Sequence, residues 1–191
     1  VEIFMNFIFF IIFLQIFIIL ALNFILARKI KMKYFDVLNK IKQTLFIAVS
    51  TSSTIGTMPI YMETLQEKFG FESNKIQLFV PVTLTTIRFS YIFYFSALSI
   101  FAVHVFSMPL SLSEYIMLPF LIVFGSFAAV SSGIININIL SMILQPLGVP
   151  SSLIISIFSV LDPLFDPLRM IFGFYMNFFT LAYSLPKKEG I

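Results

Sequence analysis

Three ionisable residues near the C-terminal end of the chain carry the chemistry that its sequence first suggests. Asp162, Asp166 and Arg169 lie in a predominantly apolar segment. At the rotation of an α-helix they fall within about 60° of one another and share one face. An ionised side chain inside a bilayer costs about 3 kcal/mol or more, so three of them must face the protein interior and pair. They predict either a structural Asp–Arg pair or a ligand site, in which Arg169 binds a carboxylate bidentately and Asp166 accepts an ammonium.

The same helical face continues towards the C-terminus through Gly173 and Asn177. One further charge, Arg88, lies between apolar segments. Two alternatives remain open for it. It pairs with Asp162 or Asp166, or its side chain reaches the membrane interface while its stem stays in the apolar layer.

The composition predicts an integral membrane protein. Of the 191 residues, 59% are hydrophobic and 11% charged, whereas a soluble domain carries about 25% charged residues. About 20 apolar helical residues cross a bilayer. The charge-free stretches that exceed this length are Ile3–Ala27, Phe89–Ser113 and Tyr115–Leu161, and Gln43–Met62 reaches it.

Basic residues cluster after the first apolar segment and again at the C-terminus, and the net charge is +3. By the positive-inside rule, this predicts that the 28–42 loop and the C-terminus are cytoplasmic in a multi-pass protein of the plasma (inner) membrane, and that nucleic acid is not a partner. The residues concerned are Arg28, Lys29, Lys31, Lys33, Lys40, Lys42, Lys187 and Lys188.

The order of segments predicts an all-α membrane protein, with residues 1–191 as a single transport-like domain. We expect an inverted repeat of a re-entrant helical hairpin plus a transmembrane helix, preceded by one transmembrane helix, because Ser, Gly and Pro interrupt two apolar segments at corresponding positions. Alternatively, the small residues serve close helix packing. The predicted segments are a transmembrane helix at 1–30, hairpin 1 at 43–68, a transmembrane helix at 76–106, hairpin 2 at 115–146 and a transmembrane helix at 151–185.

An enzyme is not predicted. An intramembrane aspartyl protease needs two aspartates on different helices, whereas Asp162 and Asp166 lie on one. His104 has no recognisable partner for a Ser–His site. With no cysteine in the chain, thiol catalysis and thiolate metal sites are excluded. We predict no cofactor and no metal centre, and the pattern leaves sodium or proton open as a coupling ion.

Three motifs resemble the dicarboxylate/amino acid:cation symporter family, which includes the glutamate and aspartate transporters. The stretch from Ser52 to Pro59 resembles its first hairpin tip, and Leu140–Pro150 resembles the exit of its second hairpin. Asp162 and the Asp166-Pro-Leu-Arg169 sequence resemble its last-helix motif. The similarity corresponds to the C-terminal, transport-domain half of a family member. That extent and the start at Val1 predict a fragment.

The resemblance implies a secondary active transporter of small dicarboxylates or of acidic or neutral amino acids, embedded in membrane lipid. It implies that Asp166 holds the substrate ammonium and that Arg169 holds the side-chain carboxylate of the substrate. The family's homo-oligomer contacts come from scaffold helices absent here. The residues implied to line the substrate site are Asp166, Arg169, Ser53, Thr54, Ser132, Gly133 and Gly173.

The chain departs from the family pattern where the family binds sodium. The span from Ile87 to Tyr91 contains Arg88 but no carboxylate, and Asn177 stands where the family has an aspartate. Arg88, Asp162 and Asn177 are therefore predicted to form an ion site or its substitute, with ligand binding independent of sodium. The alternative function is a transport-inactive membrane protein with a structural or binding role.

Overall fold

The computed structural model describes residues 2–86, 88–130 and 133–185, and the regular elements in this part of the chain are helices. The all-α prediction is therefore confirmed. A π-helical turn (Thr64–Lys68) follows the third helix, and a 3₁₀ turn (Gln145–Leu147) follows the seventh. The helices are α1 (Glu2–Lys29), α2 (Tyr34–Thr51), α3 (Thr54–Glu63), α4 (Ser73–Thr86), α5 (Phe89–Val105), α6 (Leu112–Ala128), α7 (Gly133–Leu144) and α8 (Ser151–Ser184).

The chain divides into two compact units. The first comprises Val1–Phe89 and Met170–Ile191, and the second comprises Ser90–Arg169. Helix α8 is continuous through Pro163 and Pro167 and contributes to both units.

Two helical segments are long and apolar enough to cross a membrane by length and composition. They are Met5–Lys29 and Ser73–Val105. The first exposes large aromatic side chains; Phe9, Phe13 and Phe17 are each more than 60% exposed. The second includes the boundary between α4 and α5, where a single span from 76 to 106 was predicted.

The serine-rich segment of the first unit forms the break between α2 and α3. Ser52 adopts a left-handed conformation, with φ of 45°, and Ser53 caps α3 by accepting a hydrogen bond from the Gly56 N–H at 3.0 Å. Beyond the break the chain returns alongside α2, since Thr44 and Thr64 share a hydrogen bond of 2.9 Å between their hydroxyls. The two sides of the break therefore form an antiparallel helix pair.

The core of the first unit joins this helix pair to α1 and to the C-terminal part of α8. Leu26, Ile41 and Leu65 are fully buried there, as is Tyr175 from α8. The Tyr175 hydroxyl donates to Asn23 Oδ1 at 2.7 Å, and Asn23 Nδ2 donates to the Tyr34 carbonyl at 3.0 Å. A buried polar network thus links α1, α2 and α8 without an ion pair.

The second unit contains a similar helix pair. Helices α6 and α7 pack so closely that a Cβ added at Gly125 would lie 2.8 Å from Ile143 Cδ1. At the end of α6, the Asn136 carboxamide accepts from the Val130 N–H at 3.2 Å and donates to the Val130 carbonyl at 2.9 Å. One buried side chain therefore satisfies backbone groups that the end of α6 leaves unpaired.

The N-terminus of α6 carries a capping box whose contribution depends on pH. Hydrogen bonds from the Ser111 hydroxyl and then from its backbone N–H hold the pKa of the Glu114 carboxyl below its usual range. Because the folded-state pKa lies below the unfolded value of about 4.3, the cap stabilises α6 fully above that pH. The contribution is lost as the pH falls through the folded-state pKa.

We predict that Ser111→Ala raises the pKa of Glu114 towards its ordinary value, because the strongest hydrogen bond to the carboxylate is removed. An NMR titration of the Glu114 carboxyl carbon measures the change. Ser113→Ala is the control, since it leaves both hydrogen bonds to Glu114 in place. An unchanged titration in Ser111→Ala contradicts the assignment.

Candidate functional site

The three ionisable residues predicted on one helical face meet in the second unit. Arg169 Nη1 lies 3.2 Å from Asp162 Oδ1, and Arg169 Nη2 lies 2.6 Å from Asp166 Oδ1. The side chains of Arg169 and Asp162 are 4% and 8% exposed, whereas that of Asp166 is 30% exposed. One buried guanidinium is thus shared by two carboxylates, of which one remains accessible.

Two tyrosines of α5, which sequence reasoning missed, complete the surroundings of the guanidinium. The Tyr94 hydroxyl donates to Asp162 Oδ1 at 2.6 Å. The Arg169 guanidinium carbon lies 4.8 Å from the ring centroid of Tyr94 and 5.2 Å from that of Tyr91. Arginine over an aromatic face is stabilised by the ring quadrupole, more so when the charge is desolvated. The available signal was the spacing of Tyr91 and Tyr94, which puts both on one side of a helix.

Gly133, the first residue of α7, lies directly against Asp162. A Cβ at position 133 would collide with Asp162 Oδ2. Only glycine leaves room for the carboxylate at the start of α7, where the helix dipole favours negative charge. Ser132, predicted beside it, lies outside the described residues.

The two carboxylates therefore differ in the number of partners that hold them and in their exposure to solvent. Asp162 is held by Arg169, Tyr94 and the close approach of Gly133. Among the described residues, Asp166 is bonded to Arg169 alone, and its side chain is partly exposed. Removing one partner from a buried ion pair is strongly destabilising, so Asp162 anchors the guanidinium. Asp166 is the partner that a competing carboxylate could replace.

In the break between α2 and α3 of the first unit, the hydroxyl groups form hydrogen bonds within the same segment. The Thr57 hydroxyl donates to the Ser53 carbonyl at 2.8 Å and lies 3.2 Å from the Thr51 hydroxyl. Ser53 and Thr54 are both half-buried at the start of α3. These hydrogen bonds fix the shape of the break.

Asn177 forms a second, uncharged polar centre in the first unit. Its Oδ1 lies 3.1 Å from the Tyr61 hydroxyl and 3.3 Å from the Thr83 hydroxyl. Its Nδ2 is buried, with no hydrogen-bond partner among the described residues. Gly173 lies one turn earlier on α8 and is half-buried. Neutral oxygens alone suit a hard cation poorly, because such ions favour charged oxygen ligands.

Arg88 lies between α4 and α5 and is half-buried. Its predicted pairing with Asp162 or Asp166 stays a prediction. Within the described residues, no group of three or more His, Cys, Asp or Glu side chains could hold a metal ion.

Comparisons with known proteins identify the family. A family model described as "Sodium:dicarboxylate symporter family" matches residues 2–180. A proton/glutamate-aspartate symporter from Bacillus subtilis (strain 168) is 32% identical over 143 residues, which cover 73% of this chain and 34% of the relative. The chain thus spans about a third of the length of that relative. It belongs to the sodium:dicarboxylate symporter family, a family of membrane transporters and not of enzymes.

Proposed function

We propose that this chain forms the substrate-carrying part of a secondary active transporter for small acidic solutes, in which Arg169 and Asp166 bind the solute. The observation that carries the proposal is the buried guanidinium shared by two carboxylates of unequal exposure. A transporter must bind its substrate reversibly. A substrate carboxylate that displaces Asp166 from Arg169 can bind the guanidinium, and when the substrate leaves, Asp166 pairs with the guanidinium again.

Ligand exchange at Arg169 explains how an amino acid is accommodated. The substrate carboxylate takes the place of Asp166 on the guanidinium fork, which is suited to bidentate carboxylate binding. The released Asp166 then accepts the substrate ammonium, so each charge keeps a partner. A dicarboxylate without an ammonium leaves Asp166 uncompensated. The arrangement therefore favours acidic amino acids over dicarboxylates, with neutral amino acids bound more weakly.

The proposed membrane arrangement gives each broken helix pair a role. The pair at 43–68 and the pair at 115–146 enter and leave on one side as re-entrant hairpins of an inverted repeat. The segments 1–30, 76–106 and 151–185 cross the membrane. Broken backbone at membrane depth is tolerated where it lines protein or a wet cavity. The exposed Phe9, Phe13 and Phe17 suit contact with lipid in the plasma membrane.

The coupling ion is proposed to be the proton rather than sodium. The Bacillus relative is named for proton coupling, and the Asn177 centre offers a carboxamide and two hydroxyls instead of a carboxylate. A fixed cation at Arg88, within salt-bridge reach of Asp162 or Asp166, would further disfavour a bound sodium ion.

A transport-inactive protein with a structural or binding role is the second candidate. The full engagement of Arg169 by Asp162, Asp166 and two tyrosine rings favours it, because a permanent structural pair has the same geometry. Uptake of labelled solutes into proteoliposomes, with and without proton and sodium gradients, distinguishes the two candidates.

The role of Arg169 is tested by binding of an acidic and a neutral amino acid to Arg169→Ala and Arg169→Lys. We expect both variants to lose affinity for the acidic ligand, by about 10- to 100-fold, and much less for the neutral one. Lysine keeps the positive charge but not the bidentate geometry of the guanidinium, so Arg169→Lys should retain only part of the affinity for the acidic ligand. Lys75→Ala, which removes an exposed pair with Glu72, is the control. Equal loss for both ligands indicates a structural pair.

Sodium independence is tested by measuring ligand affinity across a sodium titration. We expect no dependence in the native chain. Asn177→Asp buries an uncompensated charge and is expected to destabilise the protein by about 3–5 kcal/mol. Sodium should restore part of that loss, since the new carboxylate lies beside two hydroxyls, and choline should not. A steep sodium dependence of the native chain contradicts the proposal.

The hairpin arrangement predicts that residues 53 and 132 lie within about 15 Å, half the hydrocarbon thickness. Because the chain has no cysteine, Ser53→Cys with Ser132→Cys introduces two unique labelling sites. Spin-label distances in nanodiscs measure the separation. A distribution centred well beyond that value contradicts the two-hairpin arrangement.

A further inference from the structure

A basic cavity of about 700 Å³ lies in the first unit, away from the residues discussed above. It is bounded by the end of α1, the turn into α2, the π-helical turn and the end of α8. Four lysines line it, Lys29, Lys31, Lys40 and Lys68, together with one acidic residue, Glu67. The cavity therefore carries a marked excess of positive charge.

Three of these lysines have neutral partners. Lys40 Nζ donates to the Lys68 carbonyl, and Lys68 Nζ donates to Gln43 Oε1 at 2.8 Å. Lys29 Nζ lies 5.0 Å from the ring centroid of Tyr183. The salt bridges found among the described residues involve Lys75 and Arg169 and none of these four lysines. Among the described residues, none of the four lysines therefore forms a salt bridge with a carboxylate.

Lys31 is held in a conformation that a lysine disfavours. Its φ of 55° is left-handed. It is the second residue after the end of α1, in a turn closed by hydrogen bonds from the Met32 N–H to the Ala27 carbonyl and from the Lys31 N–H to the Arg28 carbonyl. Glycine is the usual residue at this position of such a turn. A lysine here adds a cationic residue to the cavity wall at the expense of local stability.

The remaining wall of the cavity is apolar. Phe69 and Phe71 are buried there, and Ala182 of α8 and Leu185, which follows α8, also line it. The cavity also directly follows the apolar stretch of α1, so it lies where a spanning helix ends. Cations above an apolar wall at the end of a spanning helix match the headgroup and upper acyl region of an anionic lipid.

We propose that this cavity binds a phosphate group, supplied by the headgroup of an anionic phospholipid. Lysines bind phosphate as point charges, and the apolar wall distinguishes a lipid from a free phosphate. The positive-inside rule alone does not require a cavity. Lys33, which precedes α2, and Lys42, which lies on α2, are exposed and absent from the cavity wall. They would mark the cytoplasmic side of the membrane as well as the cavity lysines do.

The test measures binding of phosphatidylglycerol, phosphatidylcholine and glycerol 1-phosphate to the purified 191-residue chain in detergent, by native mass spectrometry and thermal shift. We expect phosphatidylglycerol to be retained and stabilising and phosphatidylcholine to be weaker. Glycerol 1-phosphate is expected to compete only at much higher concentration. Equal binding of the soluble phosphate identifies a free anion as the ligand and overturns the lipid assignment.

Two variants and two matched controls make the result specific. Lys40→Gln and Lys31→Gly should each weaken phosphatidylglycerol binding about fivefold, whereas Lys33→Gln and Lys42→Gln should not. Lys31→Gly should also raise the melting temperature of the lipid-free protein, because glycine relieves the left-handed backbone. A gain in stability with weaker lipid binding separates a ligand role from a structural one. Equal effects of all four substitutions overturn the proposal.

Discussion

The desolvation of Arg169 is the constraint on which the second unit depends. A guanidinium cannot be deprotonated in a protein, so a buried arginine must find negative charge and hydrogen-bond acceptors. Asp162 supplies both, Tyr94 holds Asp162, and the ring faces of Tyr91 and Tyr94 cover the guanidinium. The absence of a side chain at Gly133 lets α7 start against the same carboxylate. The buried charge of Arg169 thus constrains the residues at four helical positions, which are 91, 94, 133 and 162.

Backbone polarity imposes the second constraint, and it is met at each break by a local side chain. Ser53 accepts from the first turn of α3, and Asn136 bonds both polar groups of Val130. In an apolar surrounding an unsatisfied backbone group costs several kcal/mol. The polar residues that interrupt these apolar segments therefore stabilise the breaks that they cause. These residues are therefore required for the fold even where they do not contact a ligand.

The sequence predicted the helical class, the membrane family and the meeting of Asp162, Asp166 and Arg169, because helix periodicity and hydrophobicity are local properties. It did not predict Tyr91 and Tyr94, whose contacts with α8 depend on tertiary packing. The span at 76–106 stays a prediction: the boundary between α4 and α5 falls within it, and the segment Ser73–Val105 is long and apolar enough to cross a membrane. Composition does not mark that boundary, because apolar residues continue on both sides of Arg88.

Charge balance links the proposed site to the proposed coupling. Two carboxylates and one guanidinium give the Asp162–Arg169–Asp166 cluster one excess negative charge, which the proposed approach of Arg88 would offset, and an acidic amino acid brings a further negative charge. In a low-dielectric interior such an accumulation is costly, so one positive charge must enter with the substrate. Sodium is the poorer candidate, since Asn177 and its neighbouring hydroxyls are uncharged. A proton needs no coordination shell and neutralises a carboxylate directly. Loss of the charged cation ligand is therefore compatible with symport and does not by itself imply an inactive protein.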